Sequence, residues 1–238
     1  MSALARMVLV ATVAVAALVA SAAGLAGSSA PPTAARDLAL TYFSTGLTRA
    51  EVVTVGPRVE HDYRIDEGRI VAIRPGSIDL LERDGTRQTI AVTRQGRLVG
   101  RAAGILVRGT RVVTVRDNGA PASQIRQSGQ ARVIGKAFFG PAFVRAEVLF
   151  YQGKVAHDYR IDEGQIVSVK PNSSITLAER DGTRQPIAIS ASTIVAANGQ
   201  PVDQGSLVKG QTAVTIREGD GPASQILLAT GIVLGGRK

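Results

Sequence analysis

The octapeptide His61-Asp62-Tyr63-Arg64-Ile65-Asp66-Glu67-Gly68 returns unchanged 96 residues later, as residues 157–164. Three further blocks recur in the same order: residues 49–52 as 145–148, residues 82–88 as 179–185, and residues 121–125 as 222–226. The spacing between copies grows along the chain to 101 residues, which indicates small insertions in loops. This period is too long for a solenoid repeat and fits a whole small domain. The sequence therefore predicts two homologous units, at residues 37–132 and 133–238.

Within one unit the pattern is typical of strands joined by tight turns. Residues 59–65 alternate, so that His61, Tyr63 and Ile65 lie on one face of a strand and Asp62 and Arg64 on the other. Asp66-Glu67-Gly68 is predicted to be a turn that closes this strand. Asp84-Gly85, between two extended runs, is a strong hairpin signal that returns at residues 181–182. Each unit is thus expected to be all-β, a small barrel or a small sandwich.

Residues 69–115 and 165–216 also carry a resemblance. The run Gly-Arg-Ile-Val-Ala-Ile, then Ser-Ile-Asp-Leu, Asp-Gly-Thr and Val-Arg-Gly-Thr-Arg-Val-Val-Thr-Val resembles the uncharacterised bacterial extracytoplasmic β-barrel domains grouped as DUF5666. The resemblance covers about two-thirds of each unit. It implies two tandem small β-barrels, similar in outline to OB-fold or SH3-like barrels, and a location outside the cytoplasm. Two small β-sandwiches are the alternative. The resemblance brings no catalytic residues.

The first residues have the pattern of a targeting segment. Arg6 precedes an apolar run at residues 7–19, and Ala20-Ser21-Ala22 supplies the small residues that a signal peptidase accepts. Residues 1–22 are predicted to be a signal peptide and residues 23–36 a flexible leader; an uncleaved membrane anchor is the alternative. The chain has no Cys, which excludes disulfides, thiolate metal sites and lipoprotein anchoring.

The chain is basic. Its formal charge is +9, and loss of the signal peptide removes one positive charge, leaving +8. A basic surface attracts anionic polymers of the cell envelope, although arginines scattered for solubility would give the same total. The partner is therefore expected to be an anionic envelope polymer or another envelope protein. Nucleic acid is not expected, because only 4% of the residues are aromatic and few can stack on bases.

The octapeptide is the one candidate site, because its two copies hold the only two histidines of the chain and two of its four tyrosines. The candidate ligand-binding residues are His61, Asp62, Tyr63, Arg64, His157, Asp158, Tyr159 and Arg160. A metal site is not predicted, since each unit has one His and the neighbouring Asp points to the opposite face. The packing interpretation is that His61 and Tyr63 are partly buried, Arg64 pairs with Asp62 or with residues 82–83, and Asp66 and Glu67 are solvated turn formers.

No catalytic site or cofactor is predicted. Ser123 and Ser224 occupy matching positions, but no Gly-x-Ser-x-Gly pattern surrounds them. The function expected is an exported, non-enzymatic interaction or scaffold module that acts at the cell envelope or outside the cell. One alternative is a binder of anionic envelope polymers, and another is a hidden metal-dependent or hydrolytic enzyme centred on the repeated octapeptide.

Overall fold

The computed structural model describes residues 40–98, 106–129 and 131–229. The predicted signal peptide (1–22) and leader (23–36) lie outside these residues. The described chain is mostly strand, which confirms the all-β class. The first copy contains β1 (Leu47–Val55), β2 (Glu60–Arg74), β3 (Ser77–Glu82), β4 (Arg87–Leu98), β5 (Arg111–Asp117) and β6 (Ala122–Gln127). No helix in the described ranges is long and apolar enough to cross a membrane.

The second copy begins with a helix, α1 (Ala131–Phe138), which spans the predicted boundary between residues 132 and 133. The strands that follow are β7 (Phe143–Gln152), β8 (Val155–Lys170), β9 (Ser174–Ala178), β10 (Arg184–Ala188), β11 (Ile194–Ala197), β12 (Gln200–Val202), β13 (Thr212–Glu218) and β14 (Ala223–Ala229). A 3₁₀ turn, Gln204–Ser206, lies between β12 and β13.

The two copies share most of their strand pairings, and the second copy adds that of β11 with β12. The long strand β2 pairs with β1, β3 and β5, and its counterpart β8 pairs with β7, β9 and β13. Antiparallel partners are β3 with β4 and β5 with β6, matched by β9 with β10 and β13 with β14. Each copy also has a single parallel contact among its described strands, β4 with β6 and β11 with β14. The repeated sequence therefore produces a repeated topology.

One antiparallel pairing, β1 with β7, joins the two copies. Its register is reciprocal: Ala50 faces Val148, Val52 faces Ala146, and Glu51 faces Glu147 at the centre. The order β5-β2-β1-β7-β8-β13 is thus an unbroken six-stranded sheet across both copies, here called the central sheet. The described residues of both copies belong to one compact unit.

Three apolar clusters fill the molecule. One lies on the inner face of the central sheet, where Val52 and Val148 pack with the buried side of α1 through Ile134 and Phe138. The other two lie one in each copy, around Leu80 in the first and around Leu177 in the second. The central cluster draws on both copies, so its burial stabilises the joint between them.

The predicted turn at Asp66-Glu67-Gly68 is wrong, because β2 runs through it without a break. Here β2 changes partner on one edge: β1 pairs with it up to Asp66, and β3 pairs with it from Gly68 onward. Gly68 is needed because β3 approaches the backbone of β2 closely here, not because the chain turns. A Cβ atom at this position would lie 2.9 Å from the carbonyl oxygen of Leu81. Gly164 is under the same constraint, 2.7 Å from the carbonyl oxygen of Ala178.

The predicted hairpin at Asp84-Gly85 is confirmed. Gly85 has a φ of +85°, and the Thr86 amide donates a 2.9 Å hydrogen bond to the Asp84 carboxylate. The second copy repeats this turn, with Gly182 at a φ of +90°. The local sequence is sufficient here because both the positive φ and the Asp-to-amide bond form within the turn itself.

Candidate functional site

The two histidines of the octapeptide occupy equivalent, partly buried positions. Nδ1 of His61 lies 2.8 Å from Oδ2 of Asp117, and Nδ1 of His157 lies 2.8 Å from Oε1 of Glu218. Each imidazole also stacks on the tyrosine two residues later, with ring centroids 5.4 Å apart in the first copy and 5.6 Å apart in the second. A carboxylate and a ring thus hold each imidazole in place.

The stacked tyrosines reach across the joint between the copies. Tyr63 packs on Phe138 of α1, with centroids 4.6 Å apart, so the first copy's motif contacts the second copy's helix. In the second copy Tyr159 packs on Tyr42, at 4.7 Å. Tyr42 precedes Phe138 by the same 96 residues as the octapeptide spacing, so the contact is exchanged reciprocally.

Asp62 and Asp158 point away from these rings and are exposed. Their backbones are fixed by the loop after the neighbouring strand. The Asp62 amide donates to Oδ1 of Asn118 at 3.1 Å, and the Gly219 amide donates to the Asp158 carbonyl at 2.7 Å. The structure therefore separates the octapeptide into a packed pair, His and Tyr, and an outward pair, Asp and Arg.

The arginines of the octapeptide belong to a row that crosses the outer face of the central sheet. Arg64 faces Glu51 on one side and Arg116 on the other, and Arg160 faces Glu147 and Arg217. Since Glu51 faces Glu147 at the joint, the row is continuous over six strands. The row, here called the charged row, consists in strand order of Arg116, Arg64, Glu51, Glu147, Arg160 and Arg217.

In the first copy a buried carboxylate next to the charged row, Asp66, holds both arginines of the row. Arg64 Nε donates to Asp66 Oδ1 at 3.1 Å, and Arg116 Nη2 donates to Asp66 Oδ2 at 2.7 Å. The expectation that Arg64 pairs with Asp62 or with residues 82–83 is therefore wrong. So is the expectation that Asp66 and Glu67 are solvated, because they are 0% and 2% exposed. Continuous β2, paired on both edges, encloses them.

Another buried carboxyl group in each copy, Glu82 or Glu179, lies at the start of the Asp-Gly hairpin turn. Glu82 Oε2 accepts a 2.6 Å hydrogen bond from Arg49, and Glu179 Oε2 accepts one of the same length from Arg145. Burial and, to a lesser extent, the nearby Asp66 carboxylate raise the pKa of Glu82 to about 7. Burial likewise raises the pKa of Glu179 to about 7. The sequence predicted that this block forms a hairpin and that residues 82–83 pair with Arg64, and it missed the pairing of Glu82 with Arg49. The recurrence of Arg49 and Arg145 together with this block was the available signal.

A polar cleft of about 260 Å³ opens beside the charged row in the second copy. Arg145, Glu147, Arg160 and Glu179 are among the residues that line it. One carboxylate oxygen of Glu179, Oε1, is buried and accepts no hydrogen bond from a described residue. The cleft can therefore offer a ligand both guanidinium donors and a carboxyl group.

The matched serines do not complete a nucleophilic site with the histidines. Ser123 donates its hydroxyl hydrogen bond to the Val115 carbonyl at 3.3 Å, and Ser224 donates to the Ile216 carbonyl at 3.1 Å. Both bonds fix backbone in neighbouring strands. Within the described ranges, no group of three His, Asp or Glu side chains is placed to hold a metal ion.

No protein family model matches the chain, and no curated protein matches it. Among solved structures, a deletion mutant of the single-stranded DNA binding protein from Thermus aquaticus is similar at 12% identity. The match covers 81% of this chain and 98% of that one, with a TM-score of 0.20. At that TM-score the likeness carries no argument about fold or ligand.

Proposed function

We propose that this protein is an exported, non-enzymatic interaction module whose two copies form one binding platform outside the cytoplasm. The observation that carries the proposal is the charged row. It spans both copies without interruption, and the buried carboxylates Asp66 and Asp162 pair with three of its four arginines. A preorganised set of charged groups binds a partner with less loss of side-chain freedom than free surface residues do.

Each copy is proposed to be a five-stranded barrel of the OB type. The pairings of the first copy support this, because the order β2-β3-β4-β6-β5 returns to β2. In the second copy two shorter strands, β10 and β11, take the place of β4, and the order is β8-β9-β10, then β11-β14-β13 and back to β8. A sheet that pairs back onto its first strand encloses its own apolar side chains, as the clusters around Leu80 and Leu177 do.

The packing of the octapeptide supports a non-enzymatic role. His61 is engaged by Asp117 and Tyr63, and Tyr63 in turn packs on Phe138. Side chains held in this way join two elements of the fold, which is what a structural motif repeated in both copies is expected to do. Export rests on the pattern of residues 1–22.

A second candidate, binding of anionic envelope polymers, is favoured by the net charge of +9. This charge is not concentrated in the charged row, where Glu51 and Glu147, together with the adjacent Asp66, offset the arginines. It lies instead on exposed side chains elsewhere, such as Arg108 and Lys209 at equivalent turns. The two candidates thus place the ligand on different surfaces.

Co-sedimentation of the chain from Ala23 onward with isolated envelope material, at low and high salt, tests both candidates. The platform predicts binding that survives salt and is lost when Glu51→Arg and Glu147→Arg are combined. The matched control combines Arg108→Ala with Lys209→Ala, outside the row, and should bind as the wild type does. Two results together would favour the polymer candidate: loss of binding at high salt, and loss of binding in the Arg108→Ala, Lys209→Ala variant. Salt screens the exposed charges on which that candidate depends. No binding at either salt concentration would overturn both.

A further inference from the structure

A second cavity lies away from the charged row, beside the hairpin that joins β7 to β8. Its volume is about 560 Å³, within the range of small-molecule sites. Tyr42, Tyr151 and Tyr159 line it together with Phe150. Three of the four tyrosines of the chain therefore meet in one cavity.

Two of the four rings, Phe150 and Tyr151, are specific to the second copy, whereas Tyr42 and Tyr159 have the aromatic equivalents Phe138 and Tyr63. Phe150 and Tyr151 correspond, 96 residues earlier, to Thr54 and Val55. The pairing of β1 with β2 includes Thr54 and Val55 just as that of β7 with β8 includes Phe150 and Tyr151, so this pairing accepts small side chains at both positions. The aromatic rings in the second copy are thus not required by the shared topology. This makes them candidates for binding.

The rings meet at an angle rather than in parallel. Tyr42 is tilted by 56° to Tyr159, and it meets Phe150 edge-on at 82°. A nucleobase prefers a slot between parallel faces, whereas a sugar ring can lay its C–H face on one aromatic ring and direct its hydroxyls to a polar rim. Ser44, Thr45 and Gln152 supply such a rim.

A cation lies at the same rim. Arg83 Nη2 donates to the Thr45 carbonyl at 3.0 Å, which fixes the exposed guanidinium at the edge of the cavity. Its counterpart Arg180 forms an ion pair with Glu163 at 3.2 Å, whereas Arg83 lies beyond ion-pair distance of the equivalent Glu67 and interacts with it only at longer range. A guanidinium with remaining donors is well suited to a carboxylate.

We propose that this cavity binds an acidic saccharide, with a sugar ring on the tyrosine floor and its carboxylate on Arg83. The inference rests on the proposed function, because it names a ligand class for the same exported module. It assigns that ligand to a different surface from the charged row, so the two can be tested separately.

Tyrosine fluorescence offers a direct readout, since the chain has no Trp. Titration of the full chain with an oligogalacturonate should change this emission and saturate below about 10 mM, while a neutral maltooligosaccharide should bind at least tenfold more weakly. Combining Phe150→Thr with Tyr151→Val gives the second copy the residues of the first, and should weaken binding at least tenfold with the fold retained. Arg83→Ala should have a similar effect. Arg180→Ala is the matched control and should leave binding unchanged.

Failure to saturate, equal binding of the neutral sugar, or tighter binding of adenosine monophosphate would each overturn the inference. Co-sedimentation of the Phe150→Thr, Tyr151→Val variant with envelope material separates the two proposals. Absence of oligogalacturonate binding with intact envelope binding rejects the saccharide site alone. Loss of envelope binding only in the Glu51→Arg, Glu147→Arg variant, with oligogalacturonate still bound, leaves both standing.

Discussion

His61 and His157 each lie between a carboxylate and a tyrosine ring, at the edge of the central apolar cluster. The imidazole contributes a hydrogen bond to the carboxylate and a stacked contact to the ring. Each contact of this kind is worth on the order of 1 kcal/mol. At the scale of the residue, the histidine and tyrosine of each octapeptide therefore contribute chiefly to stability.

His61→Ala and His157→Ala are each expected to lower the free energy of unfolding by about 1 to 2 kcal/mol, because both contacts are lost. Urea denaturation followed by circular dichroism measures the change. Asp62→Ala, at the exposed neighbour, is the control and should stay within about 0.5 kcal/mol of the wild type. Wild-type stability in both histidine variants would contradict the packing interpretation.

Glu82 and Glu179 should make stability depend on pH. Their pKa is about 7 in the folded protein, raised from 4.5, so the folded chain binds more protons than the unfolded chain between these values. The contribution of each carboxyl to the free energy of unfolding is then fully present below about pH 4.5. It is lost as the pH rises through 7, by about 1 to 3 kcal/mol per carboxyl. Glu82→Gln and Glu179→Gln should flatten this slope in denaturation series from pH 5 to 8. The exposed Glu51→Gln should keep the slope, and a slope unchanged in all three variants refutes the assignment.

The sequence predicted the alternation of residues 59–65, with His61 and Tyr63 inside, because alternation depends only on the strand itself. It did not predict the burial of Asp66 and Glu67. Their surroundings come from β1, β3 and β5, which are distant along the chain, and Asp-Glu-Gly alone is typical of a turn. Charged residues that recur in both copies next to recurring arginines were the remaining clue.

At the scale of the element, β2 and β8 determine each copy, because each pairs with three strands. The change of partner at Gly68 requires β3 to approach the backbone closely, as the distance to Leu81 shows. A hairpin such as Asp84-Gly85 is readable from four residues, whereas a strand that changes partner is specified only by the strands around it.

Gly68→Ala and Gly164→Ala are expected to destabilise the protein by about 2 kcal/mol each, since the added methyl group meets a strand carbonyl that cannot move alone. The midpoint of thermal unfolding is the measurement. Gly205→Ala, at a glycine with open space around it, should leave the midpoint within a degree or two. Equal midpoints for all three variants would contradict the prediction, because they would show that β3 can shift to make room for the extra methyl group.

At the scale of the whole molecule, the pairing of β1 with β7 makes the two copies depend on one another. The central apolar cluster takes side chains from both, and the packing of Tyr63 on Phe138 and of Tyr159 on Tyr42 crosses between them. A single copy would expose half of this cluster and the free edge of β1, which is a template for pairing with another chain.

A fragment of residues 23–129 is therefore expected to form a homodimer in which β1 pairs with β1 of the second chain and Glu51 faces its own equivalent. Light scattering after size-exclusion chromatography measures the mass, and the Val52→Lys fragment is the control that should not associate. A fragment that is folded and monomeric at micromolar concentration would show instead that the copies are independent domains.

The reciprocal register around Glu51 and Glu147 also has an evolutionary consequence. If a single-copy ancestor assembled as a symmetric dimer, every substitution appeared twice, once on each side of the axis. Fusion of the two genes removes that constraint, so one half can diverge while the other keeps the ancestral role. Phe150 and Tyr151, whose equivalents in the first copy are Thr54 and Val55, are a difference of the kind that a fused chain can accumulate.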